Sequence, residues 1–245
     1  MLSFPKILFG EDMKYLIADL ITEFEPKHSN LINLAKPFEY FGNRKTDISL
    51  SVSDEEINSL LKRMVPDTTI GAAEEFSYAG KFCKSIIKYN AMLIHSSAIE
   101  YNGKAYLFSA NSGVGKSTHT ALWRKAFGND VKMINDDKPI VRIIDGKAVA
   151  YGTPFDGGSG IANNISAPLG AVVFIERGEN NSIRKAETSE IIKKLYFSTA
   201  RFVCRDTADK MLTNFENLIS CTDFYILTCN MDISAAYTAK NTIVK

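Results

Sequence analysis

One run of residues, Ala110-Asn111-Ser112-Gly113-Val114-Gly115-Lys116-Ser117-Thr118, has the types and spacing needed to hold phosphate. Glycines at this spacing let backbone N–H groups turn inward around anionic oxygens, and a helix start adds its positive dipole end. Lys116 would reach the outer phosphates and the Ser117 hydroxyl would bind Mg²⁺. The run departs from G-x-x-x-x-G-K-[ST] at one position, because Ala110 stands where the first glycine is expected. Alanine is the smallest substitute and serves there unless that position needs a positive φ. Asn111 to Thr118 are therefore read as the nucleotide-binding residues.

Phosphoryl transfer also needs a metal and a group that positions or deprotonates the acceptor. Asp136-Asp137 is the best pair for this, delivered by the apolar run Val131 to Ile134. Extended neighbours point to opposite sides, so one carboxylate would serve Mg²⁺ and the other an acceptor hydroxyl. The competing reading is a solvated turn before Pro139, where Asp and Asn are common. His95 ends the strand Ala91 to Ile94 and can be carried to the γ-phosphate edge; a lone histidine is also a common structural hydrogen-bonder. His28 and His119 are read as structural. Glu176, closing the apolar run Val172 to Ile175, superficially resembles a Walker B acid and carries less weight than Asp136. The loop Asp156 to Gly160 is read either as a closing flap or as an ordinary connection.

These residues need elements to hold them. Ala105 to Phe108 suits a buried strand leading into the loop, and His119 to Phe127 a helix leaving it, with Trp123, Ala126 and Phe127 to one side. Asn102-Gly103 and Asp145-Gly146 each separate apolar runs and signal hairpins. Further strands are expected at Ala171–Glu176 and Phe224–Cys229, and helices at Ser189–Thr199, Thr207–Ile219 and Ile233–Ala239. Toward the N-terminus, Tyr15-Leu16-Ile17, Leu20-Ile21 and Leu31-Ile32 read as short antiparallel strands and Ile48 to Val52 as a half-buried strand. Ser53 with the acids after it caps a helix at Ile57–Met64. A second helix spans Ala72–Tyr89, with Phe76, Ala79, Phe82, Cys83, Ile86 and Ile87 along its core stripe. The hairpins argue for a mixed sheet over a purely parallel one. The expected fold class is α/β, a mixed-sheet P-loop domain over residues 90–245 with a small α+β region over 1–89.

At 245 residues with a formal charge of +1, the chain has material for a large core and no electrostatic case for nucleic acid or an anionic membrane. Its apolar runs are too short to span a bilayer, and Met1 to Lys6 lacks a signal-peptide pattern. Cys83, Cys204, Cys221 and Cys229 are widely spaced and read as reduced thiols, and no histidine lies near them at zinc-ligand spacing. A cytoplasmic setting is expected.

Several spaced segments together resemble the HPr-kinase-like family, which shares its catalytic fold with ATP-dependent phosphoenolpyruvate carboxykinases. They are Ile94-His95-Ser96-Ser97-Ala98, Gly103 to Ser109, the P-loop, and Ile134-Asn135-Asp136-Asp137-Lys138-Pro139. Tyr151 to Phe155 and Leu227 to Met231 look like the small bacterial members, some of which sit with peptide-modification systems. The resemblance covers roughly residues 90 to 240. It implies that Gly113 to Ser117 bind nucleotide phosphates and that His95, placed before Lys116 at the interval seen in the relatives, belongs to the site. It further implies that Asp136 faces the acceptor and Asp137 associates with the metal, with Ser117. The Asp pair lies further from the P-loop than in HPr kinase, and the Arg-Gly-Leu-Gly segment of HPr kinase is missing, so HPr itself is not implied as acceptor.

The resulting expectation is an enzyme with catalytic residues Asp136, His95 and Lys116, metal-associated Ser117 and Asp137, and ATP or another nucleotide with Mg²⁺. Its partner would be a hydroxyl-bearing peptide, protein or small molecule, with no nucleic acid or membrane; a homo-oligomer is left open. Carboxykinase chemistry is a weaker rival. A nucleotide-binding module without transferase activity is the alternative of another class.

Overall fold

Asn102 and Gly103, both at positive φ, form the tight turn that their sequence signals, and the strands they join carry the P-loop. The computed structural model describes residues 13–199 and 205–245. It opens with the hairpin β1 (Lys14–Ile17) and β2 (Leu20–Glu23), turned by Ala18 and Asp19. Leu31-Ile32, expected as a strand, lies in helix α1 (Ser29–Ala35). There Leu31 and Ala35 share the buried face at an i, i+4 spacing that a two-residue apolar run cannot reveal. Of the strand expected over Ile48 to Val52, only β3 (Ile48–Ser49) pairs, parallel to β2. Leu50 and Val52 are still buried, so their alternation reports burial without pairing.

Helix α2 (Asp54–Leu61) begins at Ser53 with a capping box closed by Glu56. Helix α3 (Ile70–Ile86) is capped by Thr69. Its buried stripe differs from the expected one: Phe76 is 42% exposed, whereas Glu74 and Glu75 are 0% and 1% exposed. Glu75, Ala79, Phe82 and Ile86 share one face at i, i+4, i+7 and i+11, which turns Phe76 aside.

The main sheet follows. It comprises β4 (Ala91–Leu93), β5 (Ser96–Tyr101), β6 (Lys104–Ser109), then helix α4 (Lys116–Phe127), β7 (Val131–Asn135), β8 (Ile140–Ile144), β9 (Lys147–Tyr151) and β10 (Ser166–Arg177). The chain then runs through β11 (Ser182–Lys185), α5 (Thr188–Ser198), α6 (Arg205–Cys221), β12 (Asp223–Cys229) and α7 (Ser234–Ile243). The strand order is β4-β8-β9-β10-β6-β5-β7, with β12 also on β10 and β11 outside β12. β10 runs parallel to β6 and β12, while the hairpin strands pair antiparallel, so this α/β sheet is mixed. β11 has no apolar alternation; it is an exposed, charged edge of the kind that resists further pairing.

Alternate residues of the strands feed two cores. Leu107, Phe174 and Ile226 face Leu195, Phe215 and Leu218 of α5 and α6. Phe108, Val173 and Leu227 face Trp123 of α4 and Ala236 and Ala239 of α7. A third core joins the N-terminal elements to the loop after β9: Phe155 lies 5.7 Å from Phe82 and 6.5 Å from Phe24, ring centre to ring centre. Cys83 and Cys229 are buried and Cys221 half-buried, all free thiols; Cys204 lies outside the described residues. No described helix is long and apolar enough to cross a membrane.

Candidate functional site

The buried strand β6 ends at Ser109 and hands the chain to the P-loop. Gly113 and Gly115 take φ of 77° and 127°, values that a side chain would strain. Ala110 is not among the residues at positive φ, so its methyl group is accommodated without backbone strain. Lys116 opens α4 directly after Gly115, and no described side chain caps the helix start. Its first amides are thus left for an anion. Arg177, at the end of β10, donates from Nε to the Val114 carbonyl at 3.3 Å and from Nη2 to the Gly113 carbonyl. By holding the carbonyl side of the loop, it favours amides turned toward the cradle.

Across the sheet, β7 ends at Asn135, which is 0% exposed. Asn135 Oδ1 accepts the Asp137 amide at 2.8 Å and the Lys138 amide at 2.6 Å, while Nδ2 donates to the Thr153 carbonyl at 3.0 Å. One side chain therefore shapes the turn bearing both aspartates and ties it to the glycine-rich loop. This is an anchored turn, not a freely solvated one. Asn135 was not singled out from sequence, although Asn just before a turn is a recognised signal.

Asp136 and Asp137 diverge. Asp136 Oδ1 accepts the Ser97 hydroxyl, and Ser97 is 2.7 Å from Thr120 of α4. Asp137 Oδ1 lies 2.9 Å from His95 Nε2, and its Oδ2 pairs with Lys138 Nζ. Burial would raise the Asp137 carboxyl, but hydrogen bonding from His95 and the charge and hydrogen bond of Lys138 outweigh it and hold the group well below the usual carboxylate range. Burial lowers the Lys116 ammonium, and Asp137 and Asp136 oppose that effect.

The backbone of His95 is pinned at both ends. Its amide donates to the Ser198 carbonyl at 2.6 Å and its carbonyl accepts the Ser109 hydroxyl at 2.8 Å. His119 is buried and accepts the Trp123 indole N–H at 3.0 Å; His28 sits 3.3 Å from buried Glu74. Glu176 is exposed and pairs with Lys194 at 2.7 Å. In the glycine-rich loop, Asp156 is 1% exposed and accepts the Gly158 amide at 2.9 Å, so this part of the loop is tied down. A cavity of about 940 Å³ opens beside the P-loop, with His95, Asn111, Ser112, Arg177, Lys193 and Phe197 among its lining.

Ser117 is exposed on the first turn of α4, and Asn111 and Ser112 are exposed in the loop ahead of it, with Thr118 half-buried beside Gly115. The donor set, a serine hydroxyl and two half-buried carboxylates, contains no cluster of three His, Cys, Asp or Glu suited to a metal among the described residues. These side chains offer oxygen ligands only, the ligand type that Mg²⁺ takes alongside phosphate and water, and they do not make a closed structural metal centre.

No protein-family model matches the chain, and no curated protein matches it significantly. Among solved structures, the chain is similar to an Hpr(Ser) kinase/phosphatase from Coxiella burnetii. The TM-score is 0.35 and the identity 9%, over 61% of this chain and 94% of that one.

Proposed function

We propose that this chain is a Mg²⁺-dependent phosphotransferase that moves a nucleotide γ-phosphoryl group to a hydroxyl, that of a serine in a peptide or protein or of a small molecule. The observation that carries the reading is the convergence of Lys116, Asp136, Asp137 and His95 beside a helix start with uncapped amides. A nucleotide-binding turn alone has no need of that set. Ser117 and Asp137 are the residues that would hold Mg²⁺, which would supply charge neutralisation at the phosphate oxygens. Lys116 and the loop amides from Gly113 to Thr118, following Asn111 and Ser112, bind and orient the phosphates.

Asp136 is the residue for the acceptor. Its Oδ1 is engaged by Ser97, which fixes the carboxylate, and no described hydrogen bond reaches its Oδ2. That oxygen can take the acceptor proton. Asp137 has donors on both oxygens and serves as fixed negative charge that acts on Lys116 and would act on a bound cation. His95 holds Asp137 and closes the site toward the cavity.

The test incubates labelled Mg·ATP with serine-bearing peptides and small hydroxyl compounds, comparing the wild type with Asp136→Asn. The expected result is transfer reduced about 100-fold or more, with nucleotide binding retained. Equal transfer by both proteins removes Asp136 from the mechanism. Nucleotide binding without transfer to any acceptor would identify a binding module instead.

A further inference from the structure

We propose that Glu75, on helix α3 and far from the P-loop in sequence, is a positioning residue for the phosphotransfer site, acting on Asp137 through Lys138 and Gly157. The proposal rests on the reading of Asp137 given above. Glu75 is 1% exposed, and three groups converge on its carboxylate. Oε1 accepts the Gly157 amide at 3.0 Å and lies 3.9 Å from Lys138 Nζ; Oε2 accepts Asn30 Nδ2 at 3.1 Å. The next residue, Phe76, places its ring 4.3 Å from the same ammonium.

Both groups that Glu75 holds press on Asp137. Lys138 Nζ pairs with Asp137 Oδ2. Gly157 stands so close that a Cβ there would sit 2.8 Å from that same oxygen, and its φ is +66°. The Asp137 carboxylate is therefore boxed by His95 on one oxygen and by Lys138 and the Gly157 backbone on the other, with Glu75 behind both. A buried carboxylate is costly unless it is satisfied, and an apolar residue on this helix face would pack at least as well. What Glu75 supplies is a fixed place for a long, flexible lysine side chain, whose rotamer freedom would otherwise let Asp137 move. The N-terminal elements thereby contribute to the geometry of the site.

The test compares full-length wild type, Glu75→Gln, Lys138→Met and the double variant. Asn30→Ala serves as a milder way to loosen Glu75 should Glu75→Gln fail to fold. Two readouts are used: phosphate release from Mg·ATP with water as acceptor, and the ¹⁵N spectrum of the histidines without nucleotide. There are 3 histidines, and His95→Gln identifies the relevant signal. Glu75→Gln is expected to slow release about tenfold with a fluorescent ATP analogue still bound, and the double variant to match Lys138→Met within about twofold. The His95 Nε2 signal should shift in each variant. An unshifted His95 signal in Glu75→Gln (or in Asn30→Ala), or additive losses in the double variant, would overturn the proposal. If Asp137→Asn releases phosphate like wild type, the role given to Asp137 fails, and if wild type transfers phosphate neither to water nor to any hydroxyl acceptor, the functional reading fails; in both cases the histidine spectrum still decides whether Glu75 positions Asp137.

Discussion

His95 Nε2 and Asp137 Oδ1 are 2.9 Å apart, joining the link between β4 and β5 to the turn after β7. The bond fixes the imidazole with its proton on Nε2 and helps keep the Asp137 carboxylate ionised despite burial. Removing His95 should therefore disturb transfer more than nucleotide binding. We expect His95→Ala to lower phosphoryl transfer about 100-fold while changing the affinity for a fluorescent ATP analogue by no more than about threefold. Equal losses in both would place His95 in nucleotide binding instead.

Ala110 occupies the leading glycine position of the P-loop without a positive φ. A glycine there would add only backbone freedom, with no relief of strain. Ala110→Gly should leave nucleotide affinity within about twofold and cost about 0.5 to 1 kcal/mol of stability, read by urea unfolding. A large gain in affinity would show that the methyl group obstructs the cradle.

Asn135 carries two backbone amides of the aspartate turn and reaches the Thr153 carbonyl. Asn135→Ala leaves both amides without this acceptor in a buried setting. The expected cost is about 2 to 4 kcal/mol, with transfer lost because Asp136 and Asp137 lose their frame. A variant as stable as wild type would mean that water or a shifted backbone replaces the amide side chain.

The glycine-rich turn between β6 and α4 and both hairpins were legible because each is a contiguous chemical pattern: glycines at fixed offsets, or Asn-Gly and Asp-Gly between apolar runs. The aspartate pair was legible as a candidate, but its division into one carboxylate bound to Ser97 and another bound to His95 and Lys138 depends on three separate segments. Glu75 was out of reach for a related reason. Its helix read as an apolar stripe, and only tertiary packing shows that a carboxylate holds the inner face where Phe76 was expected. Arg177 was hidden beside the more conspicuous Glu176, and its bonds to the P-loop exist only once β10 lies parallel to β6. The polar edge strand β11 and the helical Leu31-Ile32 mark the same limit: local pattern does not report the hydrogen-bond partners that tertiary packing assigns.

His119 provides a test of pH dependence in the helix that follows the P-loop. It is 2% exposed, its Nε2 accepts the Trp123 indole N–H, and its Nδ1 has no hydrogen-bond partner among the described residues. Burial lowers its pKa from the ordinary 6.5 to about 4. Because the folded value is depressed, the unfolded chain binds this proton at a pH where the native protein does not. The stability associated with neutral His119 is therefore complete above about pH 6.5 and declines as pH falls toward 4. A difference of this size corresponds to about 3 kcal/mol. His119→Gln keeps an acceptor for the indole and cannot titrate. Urea unfolding at successive pH values should show the stability of wild type relative to His119→Gln falling by about that amount between pH 7 and 4. A constant difference across this range would show that His119 protonates in the native state as readily as in the unfolded chain.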